Sequence, residues 1–365
     1  MHILFEADLL GSQKHIGISN SILQLIYNLA RSKSLLSVFH KNETSLFNEF
    51  PNIFEPNQNK LPPAEHPTQI LHSFTLTNPQ HRSLPWVQTI FDTIIEHYPA
   101  VLKEVYPNID TKVAKLLRRT AKMIAQEPQL IIAPSENTKK DLINIYKIPD
   151  SRIKVIPLAP HPVFQKIDAL SKEQFIKKQG LDFPFLLFVG PRWKHKNFST
   201  LLRAFAIIKK KTTAINQQLK LIAIGSSPQL NKEEETLINK HKLQKEIKII
   251  PYVNHAELNL WYNTAALLAY PSLYEGFGLP PLEAMACDLP VVAAKSSSLP
   301  EIIADAALFF SPHNAVQLAE MIQNLLYDKP LRKKLIAQGR KQIKYYSWEN
   351  IAKETLKAYE QLLQK

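Results

Sequence analysis

"FLLFVGPRWKHKNFSTLLRAF", residues 185–205, passes from five apolar residues to a glycine, a basic loop and an amphipathic stretch. Strand, glycine, polar loop and helix in that order form the βα step of a parallel sheet, and the loop then lies at the carboxyl end of the strand, where doubly wound sheets bind ligands. Gly190 lets backbone come close to such a ligand. Arg192 and Lys196 follow, with a helix expected from about Ser199. A fork of donors and a point charge between a strand end and a helix start suit a diphosphate. Lys194 and His195 read as solvated neighbours.

The same step recurs along the chain. Strands are expected at 2–6, 35–39, 69–73, 86–91, 129–133 and 153–157, then at 185–189, 219–224, 247–250, 266–270, 290–294 and 307–310. Helices are expected between them, among others at 18–31, 135–146, 199–210, 280–287, 314–327 and 347–363. Alternation of this kind gives an α/β class with parallel sheets covered by helices. Three prolines in "IPLAPHPVFQKIDALSKEQ", 156–174, mark a joint, so two doubly wound domains are expected to face a cleft there. The Asn- and Pro-rich "FPNIFEPNQNKLPPAEHP", 50–67, reads as a long loop of the first domain.

A length of 365 residues, 45% of them hydrophobic, suits two ordinary cores. The single cysteine, Cys287, excludes an intramolecular disulfide, and an acidic residue interrupts the apolar start "MHILFEADLL", so a cytosolic setting is expected. No run approaches the roughly 20 apolar residues of a membrane span. The net charge of +13 divides as +3 over residues 1–170 and +10 over residues 171–365. An excess in the second half favours anionic company: a phosphorylated small molecule, nucleic acid or acidic lipid.

The chain has only eight glycines, and Gly190, Gly225, Gly276 and Gly278 all follow expected strands on one face. The last two belong to "YEGFGLPPLEAM", 274–285, which sets Glu275 and Glu283 eight positions apart. Pro280 and Pro281 suit the first turn of a helix, whose free N–H groups and positive dipole end accept a phosphate. Glu283, expected in that first turn, either caps the helix electrostatically or accepts from two neighbouring hydroxyls, as a ribose diol offers. Glu275, held on the loop, is placed to face a sugar.

"YPSLYEGFGLPPLEAMACDLPVV" with its E-x7-E spacing resembles the retaining glycosyltransferases of family four, which have the GT-B fold. "VGPRWKHKN" is similar to that family's arginine and lysine loop, "IIAPSENTKKDLINIYKIPDSRIKVIPLAP" to the segment leading into its interdomain linker, and "YSWENIAKETLKAYEQLL" to its closing helix. These stretches cover most of residues 129–365; residues 1–128 match more loosely. The resemblance implies a GT-B fold of two Rossmann-like domains facing a cleft. An acceptor-side domain would span residues 1–165, a nucleotide-sugar domain 175–345, and a closing helix, 346–365, would cross back to the first. It implies that Arg192 and Lys196 hold the diphosphate, that Glu275 with the backbone of Gly276, Phe277, Gly278 and Leu279 contacts donor sugar and phosphate, and that Glu283 binds the ribose. Gly17, Gly190 and Gly225 would line the donor, with no bound metal and no cofactor, because cations stabilise the leaving group; no Asp-x-Asp pair occurs.

Three departures from that pattern stand out. The family's histidine after the strand reading "WVQTIF" is Phe91 here, followed by Asp92, which either turns inward as a catalytic carboxylate or leaves the role to His97; alternatively Phe91 simply packs. The glycine-rich loop after the first strand, "LGSQKHIGISNSI", keeps Gly11 and Gly17 but places His15 near an expected glycine. Asp288 stands where glycine is usual after "EAMAC", in a left-handed turn that Asp tolerates.

In "TKVAKLLRRTAKMIAQEP", 111–128, Lys112, Lys115, Arg119 and Lys122 share a helical face opposite Val113, Leu117, Ala121 and Ile124. Such a helix either meets anionic membrane at its inner surface or covers its own sheet with lysines outward, and the second reading is preferred. The function expected is transfer of a hexose, of mannose or glucose type, from a nucleotide diphosphate sugar to a sugar, polysaccharide or lipid-linked acceptor with retention. The alternative is a nucleotide-sugar-binding protein with impaired catalysis. Nucleic-acid binding lacks a reading motif.

Overall fold

The structure, a computed structural model, describes residues 1–6, 16–31, 35–39, 69–74, 83–106, 108–211, 213–225, 227 and 229–364. The expected loop at 50–67 and the positions Gly11 and His15 lie outside the described residues. The chain divides into two compact units, Met1–Ala159 with Tyr346–Lys365, and Pro160–Tyr345.

In the first unit the described strands are β1 (His2–Glu6), β2 (Leu35–Phe39), β3 (Ile70–Ser73), β4 (Trp86–Thr89), β5 (Leu130–Ala133) and β6 (Ile153–Val155). They form a parallel sheet in the order β2-β1-β3-β4-β5-β6. The helix Ile16–Ala30 packs beside the closing helix Trp348–Leu363. Ile3, Phe5, Ile26 and Val87 share one core with Trp348, Ile351 and Tyr359. The apolar stripe of the closing helix, at 351, 352, 355, 358 and 359, has the three- and four-residue spacing that places side chains on one helical face. Burial of Tyr359 in that core puts the closing helix in the first unit.

In the second unit the strands are β7 (Phe185–Val189), β8 (Lys220–Ile224), β9 (Ile247–Ile250), β10 (Leu267–Tyr270), β11 (Val291–Ala294) and β12 (Ala307–Phe310). All pairs are parallel, in the order β12-β11-β10-β7-β8-β9. β7, β10 and β11 are buried along their whole length, which is why they read as unbroken apolar runs: helices cover both faces of the sheet. Leu186, Phe188, Phe205, Leu221, Leu267 and Val292 lie in its core. Burial of one such side chain contributes about 1.5–3 kcal/mol.

The order of the second sheet decides where a ligand goes. From β7 the chain first winds to β8 and β9, then crosses over to β10, β11 and β12. The direction of winding therefore reverses between β7 and β10, and loops leaving two adjacent strands at such a reversal part in opposite directions, opening a crevice at their carboxyl ends.

Candidate functional site

The loop after β7 and the loop after β10 flank that reversal, and side chains and main chain tie them together. Asn197, left-handed at φ 57°, begins the helix Phe198–Lys209. Its Nδ2 donates to Pro271 O at 3.1 Å and to Pro312 O at 2.7 Å, while Thr200 Oγ1 donates to its Oδ1 at 2.7 Å. Leu273 N donates to His195 O at 2.7 Å. Lys196 is thereby brought against Glu275.

Lys196 Nζ donates to Glu275 Oε1 at 2.6 Å and to Tyr270 Oη at 3.2 Å, and Tyr270 Oη donates to the same Oε1 at 2.6 Å. The side chains of Lys196 and Glu275 are 12% and 13% exposed. Burial pushes the Glu275 carboxyl up, but the Lys196 ammonium and its hydrogen bond outweigh burial and hold it below the usual range. Burial, then the charge of Glu275 and more weakly that of Glu283, keeps the Tyr270 phenol protonated.

The chain around Glu275 is fixed from the far side by three consecutive serines after β11. Ser297 Oγ accepts from Glu275 N at 2.8 Å, Ser298 Oγ donates to Glu275 O at 3.0 Å and Phe277 O at 2.7 Å, and Ser296 Oγ donates to Ser272 O at 2.6 Å. Gly278 then turns the chain into the helix Leu279–Ala286 with φ 115°, where a Cβ would lie 2.8 Å from Leu299 Cδ2. Only glycine enters that conformation without strain. Across the sheet, a Cβ on Gly225 would meet the backbone of Gly190 at 3.4 Å, so the glycines after β7 and β8 let the two strand ends close up.

Glu283 is the fifth residue of the helix Leu279–Ala286, one position deeper than the sequence predicts, and the first turn contains no acid. It is therefore not a cap. The residue is 8% exposed and its carboxyl accepts from Tyr262 Oη at 2.7 Å. Burial pushes it up to about 7, with the Tyr262 hydrogen bond pulling the other way. Asp288 is left-handed at φ 58° and its two oxygens accept from Arg340 Nε and Nη2, both at 2.6 Å.

Arg192 is engaged by groups of its own unit. Its Nε donates to both oxygens of Glu234 at 3.1 and 3.2 Å, Nη1 to Ser227 O at 2.9 Å and Nη2 to Gln229 O at 2.5 Å, with the guanidinium stacked over the Phe198 ring. The side chain is 5% exposed. It acts as an internal brace for the loop after β8, and Lys196 is the cation brought to Glu275. His195, expected in solvent, is buried, and burial followed by the Lys196 charge lowers it to about 3, so it is neutral.

In the first unit, Asp92 Oδ1 accepts from Ile94 N at 2.9 Å and so closes the turn before the helix Ile94–His97. His97 Nε2 lies 3.1 Å from Asp141 Oδ2, which engages it within the first unit. Phe91 stacks on Phe74 at 6.3 Å between ring centroids. Gly17 is the second residue of the helix Ile16–Ala30.

Sequence reasoning missed Tyr270, Tyr262 and the serines at 296–298. "KSSSLP" after an apolar run carries a signal for the serines, since hydroxyls at a strand's carboxyl end are free to tie neighbouring loops. Tyr270 carries none, because as the last residue of a buried strand it reads as packing. Among the described residues no group of three or more His, Cys, Asp or Glu side chains could hold a metal, and no helix is long and apolar enough to cross a membrane.

Residues 171–342 match the family described as Glycosyl transferases group 1. The chain is 31% identical over 240 residues to O-antigen chain mannosyltransferase B of Escherichia coli, which covers 64% of this chain and 61% of that one. It is 27% identical over 283 residues, 76% of this chain and 69% of the other, to an uncharacterized glycosyltransferase of Methanocaldococcus jannaschii. Among solved structures, sucrose-phosphate synthase from Thermosynechococcus elongatus superposes with a TM-score of 0.76 at 20% identity, covering 100% of this chain and 99% of that one. With two doubly wound parallel sheets the chain has the GT-B fold, and it is in the second unit that it matches the glycosyl transferases group 1 family.

Proposed function

We propose that the protein transfers a hexose from a nucleotide diphosphate sugar to a glycan or lipid-linked acceptor, with retention at the anomeric carbon. The observation that carries the reading is the Lys196–Glu275–Tyr270 triangle at the strand reversal of the second sheet. An ammonium has three donors; two are on Glu275 and Tyr270, and the third is left for a phosphate oxygen. As the bond from the anomeric carbon to the distal phosphate oxygen breaks, the electron pair stays on the diphosphate, and a fixed cation in a dry site stabilises that charge. The acceptor oxygen takes the vacated position on the same face of the carbon, and its proton passes to the departing diphosphate oxygen.

Glu275 orients the sugar, with the backbone from Gly276 to Leu279 at the start of the adjoining helix meeting sugar and phosphate. Pro280 and Pro281 lack N–H groups, so the amides available there are few and lie early in the segment. Gly190 and Gly225 leave room beside the phosphates. Glu283 takes the ribose diol, Asp92 is the first unit's candidate catalytic carboxylate, and Arg192 contributes by holding the loop after Gly225.

A mannose donor is favoured by the 31% identity to a protein named as a mannosyltransferase, and GDP-mannose is the first donor to test. Steady release of nucleoside diphosphate from GDP-mannose or UDP-glucose, lost on Lys196→Ala, is the expected result; no release from any nucleotide sugar with acceptors supplied would overturn it. A second reading, donor binding with impaired transfer, draws on Phe91, whose ring sits in the first core and offers a sugar no polar group. It requires a thermal shift with a nucleoside diphosphate and no turnover.

A further inference from the structure

The helix Thr111–Ile124 of the first unit carries five basic residues and no acidic one. At 3.6 residues per turn, Lys112, Lys115, Arg119 and Lys122 fall within a sector of roughly 80°, and Met123, Leu116, Thr120, Val113 and Leu117 follow in the adjoining one. A helix covering its own sheet would bury that apolar sector. Here only Ala121 and Ile124 are buried, whereas Leu116 is 62% exposed, Met123 70%, Val113 47% and Leu117 45%. The helix is secured by other means. Asp110 caps it by accepting from Lys112 N at 2.7 Å, and Arg118, at its inner edge, pairs with Glu96 at 2.5 Å. Of the stripe expected to cover the sheet, Ala121 and Ile124 do so, while Val113 and Leu117 stay exposed with the lysines.

We propose that this face is a docking surface for an anionic lipid bilayer. In that pose Leu116 and Met123 enter the boundary between headgroups and acyl chains, and Lys112, Lys115, Arg119 and Lys122 meet lipid phosphates. The occupant follows from the two sectors together. Exposed large apolar side chains beside a band of like charge, with no acid between them, match a surface that is apolar beneath and negative on top. A nucleic acid would use the cations and leave Leu116 and Met123 in water; an apolar protein groove would leave the four cations unmatched. The proposal is independent of the donor chemistry in the second unit.

The test is co-sedimentation of the full chain with vesicles of phosphatidylcholine alone and of phosphatidylcholine with a third phosphatidylglycerol. Binding is expected only to the acidic vesicles, falling as salt rises. Each cation replaced should weaken it about fivefold, so K112Q/K115Q/R119Q/K122Q should abolish recovery. L116S/M123S should weaken it strongly too. All these side chains are exposed, and unchanged thermal unfolding of both variants is the control for folding. Equal recovery on neutral vesicles, or wild-type recovery of either variant, overturns the proposal, as does L116S/M123S losing nothing while single-stranded DNA competes the protein off. Nucleoside diphosphate release measured without vesicles should be unchanged in both variants, which separates a failure here from a failure of the transfer reading.

Discussion

The Tyr270 hydroxyl donates to the same Glu275 oxygen that the Lys196 ammonium grips, so one carboxylate oxygen is held from two directions inside a nearly dry site. Removing one partner of a buried ion pair leaves the other charge unmatched, a cost of about 3–5 kcal/mol. Lys196→Ala is therefore expected to lower the unfolding free energy by that amount and to reduce kcat at least a hundredfold. Tyr270→Phe keeps the charges and loses two hydrogen bonds to charged groups, the one donated to Glu275 and the one accepted from Lys196, each about 1.5–3 kcal/mol. Its expected signature is a fall in kcat with little change in KM, since the phenol positions Glu275 and touches no substrate. Denaturant unfolding and steady-state kinetics on the two variants check this. A Tyr270→Phe enzyme with wild-type kcat would remove that role.

Arg192 and Lys196 pair with different carboxylates, Glu234 and Glu275. Its four donor contacts with Glu234 and the carbonyls at 227 and 229 are internal. Arg192→Ala is expected to destabilise the protein by about 3 kcal/mol, with nucleoside diphosphate affinity changed less than tenfold at a temperature where the variant is folded. Isothermal titration of the variant against Lys196→Ala measures the contrast. A complete loss of affinity with intact stability would return Arg192 to the diphosphate.

Glu283 is expected to make donor binding pH-dependent. Burial raises its carboxyl to about 7, and a protonated carboxyl accepts from two ribose hydroxyls less well than a carboxylate. Affinity for a nucleoside diphosphate should rise as pH rises through about 7, with proton release on binding near neutrality. The sign for stability is the opposite one. A folded-state value above the ordinary carboxylate range means the contribution is present at low pH and is lost as pH rises from about 4.5 to about 7. Glu283→Gln should abolish the proton release, measured by titration calorimetry in buffers of different ionisation enthalpy.

His72 gives the first unit an acid limit. Its Nδ1 lies 2.5 Å from Tyr359 Oη and its Nε2 2.7 Å from Thr89 Oγ1, and burial lowers it to about 3. The unfolded chain binds the proton first, so the contribution is full above about 6.5 and is lost as pH falls toward 3. Unfolding between pH 6 and 4 should take up about one proton fewer in His72→Asn than in the wild type. Because Tyr359 lies on the closing helix, limited proteolysis at pH 4 should release the C-terminal end first.

Most of the strands were legible because parallel strands covered on both faces have to be apolar throughout; β7 and β11 show this directly. Gly278 was legible as a loop glycine, although its need for a positive φ appears only when Leu299 is seen against it. The helix Thr111–Ile124 was legible as a helix with its lysines outward, but half of its expected inner stripe, Val113 and Leu117, stays exposed. Its pattern gives two sides, and the pattern does not say which side meets protein.

Sequence by itself determined the alternating architecture, the two sheets and the chemical inventory at strand ends: Lys196, Glu275 and Glu283 lie on the segments where the pattern puts them. Tertiary structure alone decided which charges meet. Arg192 and Lys196 are four residues apart, yet one turns to Glu234 and the other to Glu275. Their partners lie dozens of residues away, so the choice is made by how β7 is flanked by β8 on one side and β10 on the other. Periodicity records which faces are apolar; it carries no record of which distant loop a cation reaches, because that depends on strand order, which is fixed only when the sheet closes its core.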